Sequence, residues 1–274
     1  MFKILSQQRR WVGGVVVTAA ATATSVNSIQ CRGISHFRQP MLQVTEPVKL
    51  YQYDVCPFCN KVQAFLEYQG IPFEKVEVNP LTKKEIKFSE YKMVPLAIIN
   101  GQQVNGSSAI IETLMGQNII SEREKEWCSW VDSHLVHLLP PNIYRTPSEA
   151  LESFNYITSN SNFSVVEGIV MRYAGAAVMF LIAKRSKEKY GLSDNPRQDL
   201  FDAVEHWSSN GIKSSLYHGG DEPDAADLAV YGVLRSIVGD NYETWKDLEN
   251  HSFASRNAFF KWFEAMKNSV NNNL

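Results

Sequence analysis

The stretch that most restricts the fold is residues 48–70. Val48 to Tyr53 reads Val-Lys-Leu-Tyr-Gln-Tyr, a period-two run of β-formers that predicts a strand. Asp54-Val55-Cys56-Pro57-Phe58-Cys59 follows at once, and Val62, Phe65, Leu66 and Gln69 continue at helical spacing until Gly70. Proline fits best in the first turn of a helix, so a strand runs directly into a helix that starts at Cys56. Unpaired amides and the helix dipole stabilise a thiolate there, and the Cys56 pKa should fall below the ~8.5 of a free thiol. Cys59, one turn on, is placed to resolve a mixed disulfide formed at Cys56. Half a zinc site is the competing reading of this spacing. No second pair follows, and Cys128 lies beside Trp127 on a helical stripe, so thiol chemistry is favoured and no metal is expected.

The rest of the first half alternates. Ile71 to Val78 reads as a strand, Leu81 to Tyr91 as a basic-faced helix, Leu96 to Asn100 and Gln102 to Val104 as two strands joined by the Asn100-Gly101 turn. Asn105 to Ser108 should then cap a helix from Ala109 to Leu114. This order is the thioredoxin-like one. The chain divides into 1–45, a targeting or anchor segment; 46–116, the thioredoxin-like domain; and 117–274, a helical domain.

Charge bounds the partners. Of 274 residues 44% are apolar and 20% charged, with 27 basic against 29 acidic side chains, so nucleic acid is not an expected partner. The first forty residues hold Lys3, Arg9, Arg10, Arg32 and Arg38 with no acid, around 21 uncharged residues rich in Thr and Ser. That pattern reads as a mitochondrial or other organelle transit peptide, with a weak membrane anchor, as on a Golgi membrane, as the second reading and a processed soluble cytoplasmic form compatible with either.

Leu50 to Val62, with Val76-Glu77-Val78-Asn79-Pro80, Glu85-Ile86-Lys87-Phe88 and Val94-Pro95, resembles the glutaredoxins and, more specifically, the prostaglandin E synthase 2 family. Leu135 to Leu138, Asn142 to Leu151 and Ala226 to Arg235 extend the resemblance over most of residues 45–265. It implies an α/β thioredoxin-like (glutaredoxin) domain followed by an all-α glutathione-transferase-like C-terminal domain. It also implies a homodimer, isomerisation of prostaglandin H2 or another small lipid peroxide, and binding of glutathione and haem. By this resemblance Cys56 is the essential thiol, Cys59 its partner and Tyr53 a hydroxyl beside it. Val94 and Pro95 form the cis-proline turn that binds the glutathione backbone, and Ser107 holds the γ-glutamyl carboxylate at a helix start. Gly106 stands where the family usually places an aspartate for the ligand ammonium, so weaker glutathione binding is expected. The short link from Met115 to Ser121 should reshape the cleft that haem would occupy. A glutathione-dependent thiol–disulfide oxidoreductase, and a haem- or glutathione-binding protein without turnover, are the alternatives.

The second half reads as architecture. Trp127, Trp130, Val131, His134, Leu135 and Leu138 mark an amphipathic helix ended by Pro140-Pro141, with His134 and His137 expected as packed residues rather than haem ligands. Thr146-Pro147-Ser148-Glu149 and Asp224-Ala225-Ala226-Asp227 are capping boxes. Phe163 to Lys189 should be a packed helix with small residues at its centre. Asp227 is expected to stabilise the fold, not to react. The aromatic last helix, Phe259 to Met266, should pack on another domain or subunit.

Overall fold

A computed structural model describes residues 41–271 except 117, 119, 155–164, 240 and 241. Nearly all of the targeting segment and Phe163 lie outside the described residues.

The first half is a four-stranded sheet of order β2-β1-β3-β4, made of β1 (Val48–Gln52), β2 (Phe73–Glu77), β3 (Leu96–Ile99) and β4 (Gln102–Asn105). β1 pairs parallel with β2 and antiparallel with β3, and β3 antiparallel with β4. The parallel pair requires a crossover, which is the helix α1 (Pro57–Tyr68). Asn100, with φ +49°, and Gly101, with φ +77°, make the hairpin turn in the left-handed region. α2 (Ser107–Met115) closes this half.

Two expectations fail here. The basic-faced helix over 81–91 is a single 3-10 turn, Lys84–Ile86. Asn79 Oδ1 accepts from the amides of Leu81 and Thr82, Lys83 adopts φ +48°, and Leu81 and Phe88 stay exposed, so no apolar face anchors a helix. α2 begins earlier than expected, and its N-cap is Gly106, with no side-chain cap from Asn105 or its neighbours.

The second half is helical: α3 (Glu122–Trp130), α4 (Val136–Ile143), α5 (Pro147–Ser153), α6 (Val165–Tyr190), α7 (Pro196–His206), α8 (Ala225–Leu234), α9 (Glu243–Asn250) and α10 (Arg256–Asn271). A π-helical segment, Val131–Leu135, joins α3 to α4, and another, Trp207–Ile212, extends α7. Pro140 and Pro141 do not end the helix; α4 runs through both to Ile143. Asn142 Nδ2 donates to the Leu138 and Pro196 carbonyls, pinning the proline turn to α7. His134 is exposed, contrary to expectation, while half-buried His137 lies flat on Tyr190 with ring centroids 3.6 Å apart. Both capping boxes form, at Thr146–Glu149 and Asp224–Asp227. Gly175 on α6 lies under Phe154, whose ring carbon would be 2.5 Å from an added Cβ, so the small-residue centre of this helix does serve close packing. No helix among the described residues is long and apolar enough to cross a membrane.

The two halves share one core. α1 is buried along its length from Cys59 to Tyr68, packed against α2 of its own half and against α8 and α10 of the helical half. At Gly232 an added Cβ would stand 2.6 Å from the Lys61 Cα, so α8 crosses α1 in backbone contact. Polar residues on α1 are matched across this junction. Arg235 pairs with Glu67 and donates to Asn60 Oδ1 at 3.1 Å, while Lys61 pairs with Asp132, which also accepts from Ser108 Oγ at 2.7 Å. Phe259, Trp262, Phe263 and Met266 of α10 are all buried within this shared core.

Candidate active site around the Cys56 thiol

Cys56 is the N-cap of α1, with Pro57 at the first helical position. Its amide donates to Tyr53 O at 3.0 Å, and its carbonyl accepts from Asn60 N at 2.9 Å and from Asn60 Nδ2 at 3.1 Å. Asn60 Nδ2 also donates to Asp54 O at 2.7 Å, and Asp54 N donates to Glu77 Oε1 at 3.1 Å. The loop carrying the thiol is thus tied at three points to α1 and β2.

Cys59 is fully buried and Cys56 half-buried. Hydrogen bonding from the Cys59 thiol, then from the amides of Cys59 and Phe58, holds the Cys56 pKa below its ordinary value against the opposing effect of burial. Burial first, then its bond to Cys56, pushes Cys59 well up. The shared bond thus favours the anion on Cys56 and keeps the proton on Cys59, its donor. The sequence credited the helix amides and dipole; the largest single contribution is the neighbouring thiol.

Two phenols, Tyr53 and Tyr91, feel both of these sulfurs. Half-buried Tyr53 is pushed up to about 12 by burial and then by charge on Cys56 and Cys59, so it stays a proton donor at neutral pH. Tyr91 is raised by burial and by the same two sulfurs. Both rings, with Val94, pack on a small cluster of Val78, Ile86 and Leu96. The antiparallel register sets Tyr51 opposite Leu96, and continuing it brings Tyr53 alongside Val94. The Val94-Pro95 bond is cis, and the Pro95 carbonyl accepts from Gly106 N at 2.9 Å. Gly106, at φ +85°, has the Tyr91 hydroxyl 3.8 Å from where a Cβ would stand, and buried Ser107 opens α2 next to it.

The structure therefore links Cys56, Cys59, Tyr53, Val94, Pro95, Gly106 and Ser107 through one end of the two central strands and two helix starts. Sequence reasoning missed Tyr91 and Asn60. Tyr91 was assigned to the end of a helix that does not form, although its place three residues before Val94 was a usable signal. Among the described residues no group of three or more His, Cys, Asp or Glu could hold a metal ion, and Cys128, pushed up to about 12 chiefly by burial, lies outside the motif.

A cavity of about 470 Å³ adjoins the motif loop at Asp54, Val55 and Asn60, and Tyr231, Val238, Tyr242 and Phe263 line its far side with Lys75, Arg235 and Lys267. A second, of about 480 Å³, lies between α1 and α2 on one side and α3 and α8 on the other.

A thioredoxin-like half bearing a helix-capping thiol, fused through a shared core to a helical half, defines a protein of the glutathione-transferase fold. Residues 50–118 match the family model "Glutathione S-transferase, N-terminal domain". Among solved structures of this fold, the beta-etherase LigF of Sphingobium sp. strain SYK-6 aligns with TM-score 0.55 at 14% identity, covering 83% of this chain and 98% of that one. Glutathione S-transferase III in its apo form aligns with TM-score 0.51 at 16% identity, covering 83% and 95%. Within the fold the assignment narrows. Prostaglandin E synthase 2 of Danio rerio is 38% identical over 81% of this chain and 70% of its own length, and that of Mus musculus is 36% identical over the same shares. The chain belongs to the prostaglandin E synthase 2 family.

Proposed function

We propose that this chain is a thiolate-dependent isomerase converting prostaglandin H2, or a closely related lipid endoperoxide, to its keto-hydroxy isomer prostaglandin E2. What carries this reading is the pairing of Cys56, whose thiol pKa is lowered by the hydrogen bond from Cys59, with Tyr53, held up to about 12 and so protonated at neutral pH, beside it. Cys56 Sγ attacks one endoperoxide oxygen, and the oxygen–oxygen bond breaks as the second oxygen takes the Tyr53 proton. The ring carbon bearing the first oxygen then loses its hydrogen as a proton, the sulfur–oxygen bond breaks, a ketone forms and the thiolate returns. The released proton restores Tyr53, so no external reductant is consumed. The cavity beside the motif loop supports a lipid substrate, with aromatic walls for the chain and Lys75 and Lys267 for a carboxylate.

Glutathione fits the residues present. The cis Val94-Pro95 turn offers backbone for strand-like pairing, and Ser107 opens a helix start suited to the γ-glutamyl carboxylate. Haem fits less well. Of the two histidines considered for it, His134 is exposed and His137 is already laid against Tyr190, so no step is routed through haem. The second reading, a glutathione-dependent thiol–disulfide oxidoreductase, is favoured by one observation: Cys59 shares a hydrogen bond with Cys56 and can resolve a mixed disulfide there.

Product analysis with prostaglandin H2 decides between them. Wild type should yield prostaglandin E2 and Cys56→Ser none above the uncatalysed background. An unchanged product profile in that variant removes the isomerase reading, and glutathione-coupled disulfide reduction without isomerisation establishes the second. Delivery to a mitochondrial or Golgi membrane by residues 1–45, division of the chain at residues 46 and 117, and a homodimer belong to the same proposal. Imaging of a fusion of that segment, limited proteolysis and light scattering test them in turn.

A further inference from the structure

Tyr91 is a phenol that feels both sulfurs and that the isomerisation does not use. Its loop is fixed: Tyr91 N donates to Ser89 Oγ at 3.0 Å, Ser89 Oγ donates to Tyr91 O at 3.2 Å, and Gln103 Nε2 of β4 donates to Ser89 Oγ at 2.8 Å. The ring packs with Val94 on the cluster of Val78, Ile86 and Leu96, so the hydroxyl is carried to a set place beside the cis-proline turn. That place is over Gly106, whose missing Cβ would lie 3.8 Å away. A side chain at Gly106 would be strained by φ +85°, so the glycine keeps this spot open for the phenol.

The residues flanking Gly106 carry no charge of their own. Asn105 Oδ1 accepts from Gln103 Nε2, and Ser108 donates to Asp132. A ligand end placed here meets a phenol donor and backbone amides, and the carboxylate that reaches this helix start, Asp132, is engaged by Lys61 and Ser108.

Resting on the glutathione reading above, we propose that Tyr91 is a specificity-determining residue of the thiol-ligand site: its hydroxyl donates to the terminal carboxylate of an acidic thiol, and the site does not read an ammonium beside that carboxylate. The ligand class is wider than glutathione. Any thiol peptide whose end toward α2 is a carboxylate belongs to it, with or without the α-amine.

Calorimetric titration of the full chain with glutathione and with its des-amino analogue, glutaryl-cysteinylglycine, tests this directly. Wild type should bind the two within about threefold of each other, because Asp132 is already engaged by Lys61 and Ser108. Tyr91→Phe should weaken both by about five- to tenfold, the loss expected for one hydrogen bond to a charged group. Its melting temperature and the pH profile of Cys56 alkylation should stay at the wild-type values, which separates loss of the hydroxyl from a disturbed fold. Cysteinylglycine, which lacks the acidic end, should bind wild type and Tyr91→Phe equally. Tenfold or greater discrimination against the des-amino analogue overturns the proposal, as does unaltered binding by Tyr91→Phe. In both cases glutathione still binds, and the glutathione reading stands. No saturable binding of any of these thiols to wild type overturns that reading and the role of Tyr91 with it.

Discussion

At the scale of single residues, the account makes the Cys59 thiol the main support of the Cys56 thiolate. Cys59→Ala removes that donor while leaving the helix amides in place. The midpoint of Cys56 alkylation against pH should therefore move upward in Cys59→Ala, whereas Cys59→Ser, which keeps a hydroxyl donor, should stay near wild type. The sign follows from the charge: a depressed thiol pKa means the anion persists to lower pH, and losing its donor restores the proton. Tyr53 gives a second test. Tyr53→Phe keeps the ring packing on Val78, Ile86 and Leu96 but removes the proton donor, and isomerisation should slow by roughly 10²-fold or more with little change in melting temperature. Ultraviolet titration should show one tyrosine fewer ionising near 12 in this variant than in wild type, where Tyr53 and Tyr242 share that range. Most of these residues were legible in the sequence, because a cysteine before proline after a β-run leaves little freedom of placement. Tyr91 was not, since its position depends on a loop held by Ser89 and Gln103, residues with no local pattern.

At the scale of elements, strands and helix starts were readable and two interruptions were not. β1, α1 and both capping boxes follow from period-two apolar runs, Pro57, Thr146 and Asp224, all signals within a few residues of one another. Residues 81–91 have helical composition, but Leu81 and Phe88 are exposed and Ile86 is their one buried aliphatic residue, and the Asn79 side chain captures the amides that would start the helix. Pro140 and Pro141 looked like a stop, yet contacts from Asn142 to Pro196 and from Thr244 to the Asn142 carbonyl hold α4 together beyond them. Tertiary contacts decided both cases. The α1–α8 crossing is the element most exposed to a single change. A Cβ at Gly232 would fall 2.6 Å from the Lys61 Cα, where only backbone could move, so Gly232→Val should destabilise by about 1–3 kcal/mol and lower the isomerase rate by shifting α1 and its thiol. Denaturant titration and product assays at a temperature where the variant is folded check the two effects separately.

At the scale of the whole molecule, the site depends on a junction whose polar character hid it from sequence reading. Asn60, Lys61, Gln63 and Glu67 look like one exposed face of α1, yet all four are buried because Arg235 and Asp132 come from the helical half to meet them. That half is organised by Asp227. Its carboxylate accepts from the amides of His218 at 3.0 Å, Gly219 at 3.1 Å and Asp224 at 3.0 Å, and from Trp262 Nε1 at 2.8 Å. The sequence marked Asp227 as a stabilising cap, but not its bond to a tryptophan of the last helix, 35 residues away. Asp227→Ala leaves four buried donors without an acceptor and should cost about 3 kcal/mol, a fall of roughly 6–12 °C in melting temperature by calorimetry. The Cys56 alkylation profile of the folded variant should be unaltered, since Asp227 acts on the scaffold and not on the thiol.

The central claim is that an ionised Cys56 performs the isomerisation, and one measurement addresses it: the rate at which an alkylating reagent abolishes prostaglandin E2 formation, followed across pH with Cys56 labelling quantified in the same samples. The account predicts that activity disappears in step with Cys56 labelling and that the midpoint lies below the ~8.5 of a free thiol. A midpoint at or above that value, or activity that survives complete labelling of Cys56, contradicts it.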